Sequence, residues 1–139
     1  MNQNIDQLKF KQLLKQAGFS STKPRSELFR ILNDYGQPID IKVINNQLSA
    51  DRASIYRNLE LFTKLKLVNR VSIGWKTYYE LSETFKPHHH HLICKNCSSV
   101  VGIDDLEIEA AINLITAKRR FSPTDHIFEV RGLCQNCQS

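Results

Sequence analysis

At 139 residues with 41% hydrophobic side chains, the chain has material for one compact domain or two small ones. It contains no run of about 18 apolar residues, and Met1 to Lys15 is too polar for a secretory signal, which argues against a membrane-spanning or exported protein and leads to the expectation of a soluble cytoplasmic one. The net charge of +5 is uneven, with 14 Lys and Arg against 8 Asp and Glu in residues 1–87 and 5 against 6 in residues 88–139, so the first part suits a nucleic acid, although a solvated basic surface is the plainer alternative.

In chain order, Leu8, Leu13, Leu14 and Ala17 recur at helical spacing and stop at Gly18. Thr22 before Lys23-Pro24 reads as an N-cap with proline in the first turn, and Leu28, Phe29, Ile31 and Leu32 carry that helix to Gly36. Asp40 opens a shorter helix through Val43, Ile44 and Leu48, and Asp51 opens a fourth with Ile55, Leu59, Phe62 and Leu65 on one face. Leu67 to Ile73 and Thr77 to Leu81 flank Gly74-Trp75 as a hairpin would. Short helices followed by a hairpin describe a winged helix-turn-helix. The helix from Asp51 would then present Ser54, Tyr56, Arg57 and Asn58 to the major groove, against the alternative of an ordinary surface helix.

Composition shifts near Phe85-Lys86-Pro87, which places domains at 1–84 and 85–139 with a hinge at about 82–88. Beyond it come strand candidates Leu92 to Cys94 and Val100 to Ile103. A helix follows with Asp104 and Asp105 at its start, Leu106, Ala110, Ile112, Leu114 and Ile115 as its apolar side, and Lys118-Arg119-Arg120 at its end. A last strand, His126 to Leu133, is expected to pair with the first two, making a small α+β unit.

The four cysteines form two pairs, Cys94-x-x-Cys97 and Cys134-x-x-Cys137, and two such turns complete the tetrahedral shell of a structural zinc. A disulfide framework is the competing reading, and a reducing compartment disfavours it. Four consecutive histidines, His88 to His91, precede Cys94, with His126 further on. In an extended segment alternate side chains face opposite ways, so His88 and His90 reach one site while His89 and His91 reach another. A solvated histidine cluster is the alternative.

These residues resemble the ferric uptake regulator superfamily of iron, zinc and peroxide sensors. The resemblance runs through Thr22-Lys23-Pro24-Arg25, Ala53 to Leu59, Tyr79-Glu80-Leu81, His88 to Cys94, Cys97, Glu109, His126 and the Cys134/Cys137 pair. It implies an N-terminal winged helix-turn-helix, a small C-terminal α/β dimerisation domain with a four-cysteine zinc site, and metal-dependent repression at A·T-rich inverted repeats in promoter DNA by a homodimer. It further implies structural Zn2+ at Cys94, Cys97, Cys134 and Cys137, a second site at His88, His90, Glu109 and His126, and an interdomain sensor at Glu80, His89 and His91. By the same resemblance Tyr56 and Arg57 read DNA, Ser54 lies beside them, and Thr22 and Arg25 meet phosphates.

Three positions depart from the family's patterns. Gln37-Pro38-Ile39-Asp40 lacks the histidine usual in iron-type members, Glu80 stands where zinc-type members place cysteine while His90 is zinc-like, and Ser20 or Ser21 stands where a basic residue often enters the minor groove. The regulatory ion is therefore read as Zn2+ or Fe2+, with Mn2+ an in vitro substitute and a slight lean to zinc. A zinc-dependent hydrolase is the reading from another class. The sequence carries no HExxH for it, and no catalytic residue is assigned.

Overall fold

The computed structural model describes residues 3–139. The chain divides into two compact units, one ending at Pro87 and the other running from His88 to Ser139.

In the first unit, helix α1 (Gln3–Gln16) ends where Gly18 takes a φ of +88°, a left-handed conformation that costs glycine little. It buries Phe10 and Leu14, one turn apart. Leu8, expected on the apolar side, lies about 200° round the helix from Phe10 and is 55% exposed. Helix α2 (Lys23–Tyr35) is capped by Thr22, whose side chain accepts from the Arg25 backbone N–H, and Gly36 ends it at a φ of +73°. Leu28, Phe29, Ile31 and Leu32 are its buried face.

A two-residue strand, β1 (Ile39–Asp40), leads into α3 (Ile41–Gln47), where Asp40 caps the Lys42 N–H at 3.1 Å. Helix α4 (Arg52–Lys64) buries Ile55, Leu59 and Phe62. Strands β2 (Val68–Ile73) and β3 (Lys76–Leu81) form the hairpin, and β1 adds to the far edge of β3 in the order β1-β3-β2. Strand β1 was not expected, because two residues show no alternation and the pairing Ile39↔Tyr79 is created by β3 rather than by local preference. Phe10 stacks on Phe29 at 4.4 Å and meets Phe62 edge-on at 5.2 Å, so three helices share one aromatic contact at the centre of this core.

The second unit contains β4 (His90–Cys94), β5 (Val100–Ile103), α5 (Leu106–Lys118), β6 (Glu129–Gly132) and a 3-10 turn at Gln135–Cys137. Its sheet runs β5-β4-β6, antiparallel between β4 and β5 and parallel between β4 and β6. The last strand is thus shorter than the expected His126 to Leu133 and pairs with β4 alone, because β5 occupies the other edge of β4.

Little of this unit is apolar core: among its described residues the buried ones are His90, His91, Ile93 and Cys94. The apolar side expected of α5 is real as a pattern yet uncovered, with Leu114 and Ile115 exposed and Leu106 83% exposed. Across the sheet, Val101, Leu92 and Val130 are matched in register and all exposed, forming an apolar row on one face.

Candidate metal centres and nucleic-acid interface

The cysteine cluster follows from backbone geometry. Cys94 ends β4, and the turn after it is tightened by the Ser98 N–H donating to the Cys94 carbonyl at 3.0 Å, with Ser98 at a φ of +62°. Parallel pairing of Cys94 with Gly132 brings the second cysteine pair alongside, and the Lys95 N–H locks that join to the Gly132 carbonyl at 2.8 Å. The Cys134 N–H then points at Cys94 Sγ, 3.4 Å away.

All four sulfurs lie within 4.8 Å of one another, and Cys97 and Cys134 are 3.8 Å apart. A tetrahedron with Zn–S bonds of ~2.3 Å has edges of ~3.8 Å, whereas a disulfide needs ~2.05 Å, so the donors fit zinc and the thiols are free. The charge balance agrees. The backbone N–H of Cys134, and after it that of Cys97, pull the Cys94 thiol down to about 6. Ser99 lowers Cys97. Cys137 is pushed up to about 11: its Asn96 contact favours the thiolate, but the proton shared with Cys134, burial, and the sulfurs of Cys94 and Cys97 outweigh it. Four sulfurs this close do not all ionise without a cation among them, the role a divalent metal supplies.

The second cluster sits where β4, α5 and the loop before β6 meet. His90 Nε2 lies 2.6 Å from Glu109 Oε1, His126 Nε2 and His88 Nε2 each lie 3.2 Å from the same oxygen, and His88 and His126 are 2.9 Å apart. Donors bound at ~2.1 Å to one ion are separated by ~3.0 to 3.4 Å; the two 3.2 Å separations meet this and the 2.6 and 2.9 Å ones are tighter, and the donor chemistry, one carboxylate and three imidazoles, suits a borderline metal. His90 is only 1% exposed, and its buried Nδ1 has no partner, so the ring's polar contacts run through the Nε2 that faces Glu109. Hydrogen bonding from His90, and secondarily from His126, holds the Glu109 carboxyl below its usual range despite some opposing desolvation.

Strand alternation sorts the remaining histidines onto the other face: His89 and His91 meet edge-on with their Nε2 atoms 3.1 Å apart. Glu80 lies in the first unit on β3 and is 3% exposed, opposite Asn69 in the hairpin register. Asp40, the carboxylate nearest in sequence to the missing histidine, is used by the Lys42 N–H and by Lys76, 3.7 Å away.

The candidate nucleic-acid face is organised by α4. Tyr56 and Arg57 are exposed on it, Arg57 Nη2 donates to Ser54 Oγ at 3.0 Å, and Ser54 holds the Asp51 carboxyl below its ordinary range. Arg52 lies over the Tyr56 ring at 5.8 Å. On α2, Arg25 Nε donates to Asn58 Oδ1 at 3.1 Å while Nη1 donates to the Ser20 carbonyl at 2.9 Å, so the start of α2 and the face of α4 are fastened together. Thr22 is occupied as the α2 cap. Two further contacts, Ser99 beside Cys97 at 3.1 Å and Phe19 under Arg25 at 5.7 Å, are signalled by neither periodicity nor spacing in the sequence.

Comparison with known proteins places this geometry. The model of the ferric uptake regulator family matches residues 16–131. The ferric uptake regulation protein of Campylobacter jejuni is 32% identical over 139 residues, spanning 94% of this chain and 87% of that protein. The solved structure of the Vibrio cholerae ferric uptake regulator has 32% identity and a TM-score of 0.74 over 89% of this chain and 98% of that one. That of Helicobacter pylori, reported to have three functional metal binding sites, reaches a TM-score of 0.86 over 97% and 93%, and at 23% identity it speaks for the fold.

Proposed function

Because the chain belongs to the ferric uptake regulator family, we propose that it is a cytoplasmic, metal-responsive transcription repressor that binds A·T-rich inverted repeats in promoter DNA as a homodimer, and that it is not an enzyme. The observation that carries this reading is the sorting of metal-ligating side chains into separate clusters, four thiols in one and three imidazoles with Glu109 in another. We assign structural Zn2+ to Cys94, Cys97, Cys134 and Cys137. His88, His90, Glu109 and His126 would hold a second ion that stiffens the second unit, and Glu80, His89 and His91 would hold the sensed ion.

A ligand set drawn from both units is what coupling requires. An ion that binds better to one arrangement of the units than to another shifts the population towards it, and about 1 to 3 kcal/mol of such preference changes DNA occupancy usefully. In the DNA-competent form Tyr56 and Arg57 of α4 would meet base edges, with Ser54 beside them and Thr22 and Arg25 at the phosphates. The uncovered row Val101–Leu92–Val130 and the exposed apolar residues of α5 support a homodimer, since a second copy would bury them.

The relatives named for ferric uptake favour Fe2+ as the sensed ion. Zn2+ is the second reading, favoured by the two imidazoles, His89 and His91, in the proposed sensor set. Titrating the purified protein with Fe2+, Zn2+ and Mn2+ under anaerobic conditions, while following binding to a duplex it selects from a random pool, tests both. The expected result is tight binding only with metal, lost in a His89→Ala/His91→Ala variant that keeps its cysteine-bound zinc. Metal-independent binding would end the repressor-switch reading, and a stronger response to Zn2+ than to Fe2+ would reverse the order of the two ions.

A further inference from the structure

Asn58 lies one turn beyond Ser54 on α4, so the helical period sets it beside the residues proposed to read DNA. Its contact is elsewhere. Asn58 Oδ1 accepts from Arg25 Nε at 3.1 Å, and both side chains are half-buried where α2 meets α4. The Arg25 guanidinium is held on two further sides: Nη1 donates to the Ser20 carbonyl at 2.9 Å, and the Phe19 ring lies beneath the group at 5.7 Å. Phe19 is itself fixed. Gly18 closes α1 in a left-handed conformation, and the Phe19 N–H turns back onto the Leu14 carbonyl at 2.9 Å. The end of α1, the link into α2 and the face of α4 thus converge on one side chain of α2.

The chemistry of these restraints is selective. An amide oxygen, a backbone carbonyl and a ring are all uncharged, and no carboxylate among the described residues pairs with Arg25. The group is therefore oriented without being neutralised. Of its five N–H bonds, the two on Nη2 have no acceptor among the described residues. A guanidinium fixed in this way is prepared for an anion with two accepting oxygens.

Resting on the reading of the protein as a DNA-binding regulator, we propose that Asn58 is a positioning residue: with Phe19 and the Ser20 carbonyl it holds the Arg25 guanidinium ready for a DNA phosphate, and it does not itself read a base. Ordering a long side chain beforehand removes a loss of freedom that binding would otherwise impose. Because the contact joins α2 to α4, it also keeps the phosphate anchor at a fixed offset from Tyr56 and Arg57.

The test measures affinity against salt for the full-length metal-loaded protein and a duplex selected from a random pool. Arg25→Ala should lower the slope of log affinity on log salt by about one, the mark of one lost phosphate contact. Asn58→Ala should weaken binding by about two- to tenfold, the scale of one side chain's freedom, with the slope kept because the charge remains. In the Arg25→Ala background it should cost nothing further, and base preference should stay the parent's. Asn58→Asp keeps the acceptor and the join between helices but cancels the charge. It should hold the parent's melting temperature and lose affinity together with about one unit of slope, which decides the matter even where Asn58→Ala folds poorly. Additive losses from Arg25→Ala and Asn58→Ala, or an altered base preference, would make Asn58 a reader. Parental affinity in Asn58→Asp would leave only a strut between helices. Either result overturns the proposal while leaving the regulator reading standing, whereas failure to bind any selected duplex with any metal removes both.

Discussion

At the scale of single residues, protonation separates Cys94 from Cys137. Cys94 is depressed from an ordinary value of 9.0 to about 6, first by the Cys134 N–H, while Cys137 is raised to about 11. The sign follows from linkage: a depressed folded value favours the thiolate, so that contribution is complete above about 9 and is lost as the pH falls to about 6. Above about pH 6 zinc displaces no proton from Cys94; below it zinc must displace one, and apparent affinity falls by a further factor of about ten per pH unit. Competition with a chromophoric chelator between pH 5 and pH 7.5 should show that break in slope. A single unbroken slope would remove Cys94 from the role of pre-ionised ligand.

At the scale of elements, helix ends decide much of the first unit. Gly18 and Gly36 end α1 and α2 in the left-handed conformation that glycine adopts freely. Helix α4 ends with Lys66 in the same conformation, at a φ of +60°, while the Leu67 N–H closes on the Phe62 carbonyl at 2.8 Å. A side chain there costs about 1 to 2 kcal/mol, and glycine's extra freedom in the unfolded chain returns about 0.5 to 1 of it. Lys66→Gly should therefore stabilise the first unit by about 0.5 to 1 kcal/mol in urea unfolding, because the Lys66 backbone contacts are unchanged. A loss of stability would show that the lysine side chain has a role the conformation does not reveal.

At the scale of the whole molecule, the two units solve the stability problem differently. The first closes an apolar core around Phe10, Phe29 and Phe62. The second buries few apolar residues among those described and concentrates its polar contacts in two clusters of ligands, an arrangement to which the proposed metal ions and the proposed second copy of the chain would add stability. Leu92→Arg, at the centre of the exposed row, should weaken the proposed homodimer by about 2 to 4 kcal/mol by placing an unpaired charge in the face that a second copy would cover. Sedimentation should show monomers at concentrations where the parent is dimeric, with zinc content unchanged. A dimer of parental strength would move the interface off this face of the sheet.

Across these scales, what the sequence determined by itself was local: the Thr22 cap, the glycine stops, the hairpin around Gly74-Trp75, the cysteine pairs and the two faces of the histidine run all depend on neighbours within a few residues. The winged-helix and α+β architecture was legible because each of its elements carries such a signal. Strand β1 and the confinement of β6 to a parallel pairing with β4 were decided only in the tertiary structure, and the meeting of Glu109 with His88, His90 and His126, which no local pattern encodes, was expected from the family resemblance alone. Helix α5 shows the limit most clearly. Its apolar periodicity was plain, but periodicity states that a helix has an apolar face and not what covers it, since that depends on contacts between segments, or between chains, that no local pattern encodes.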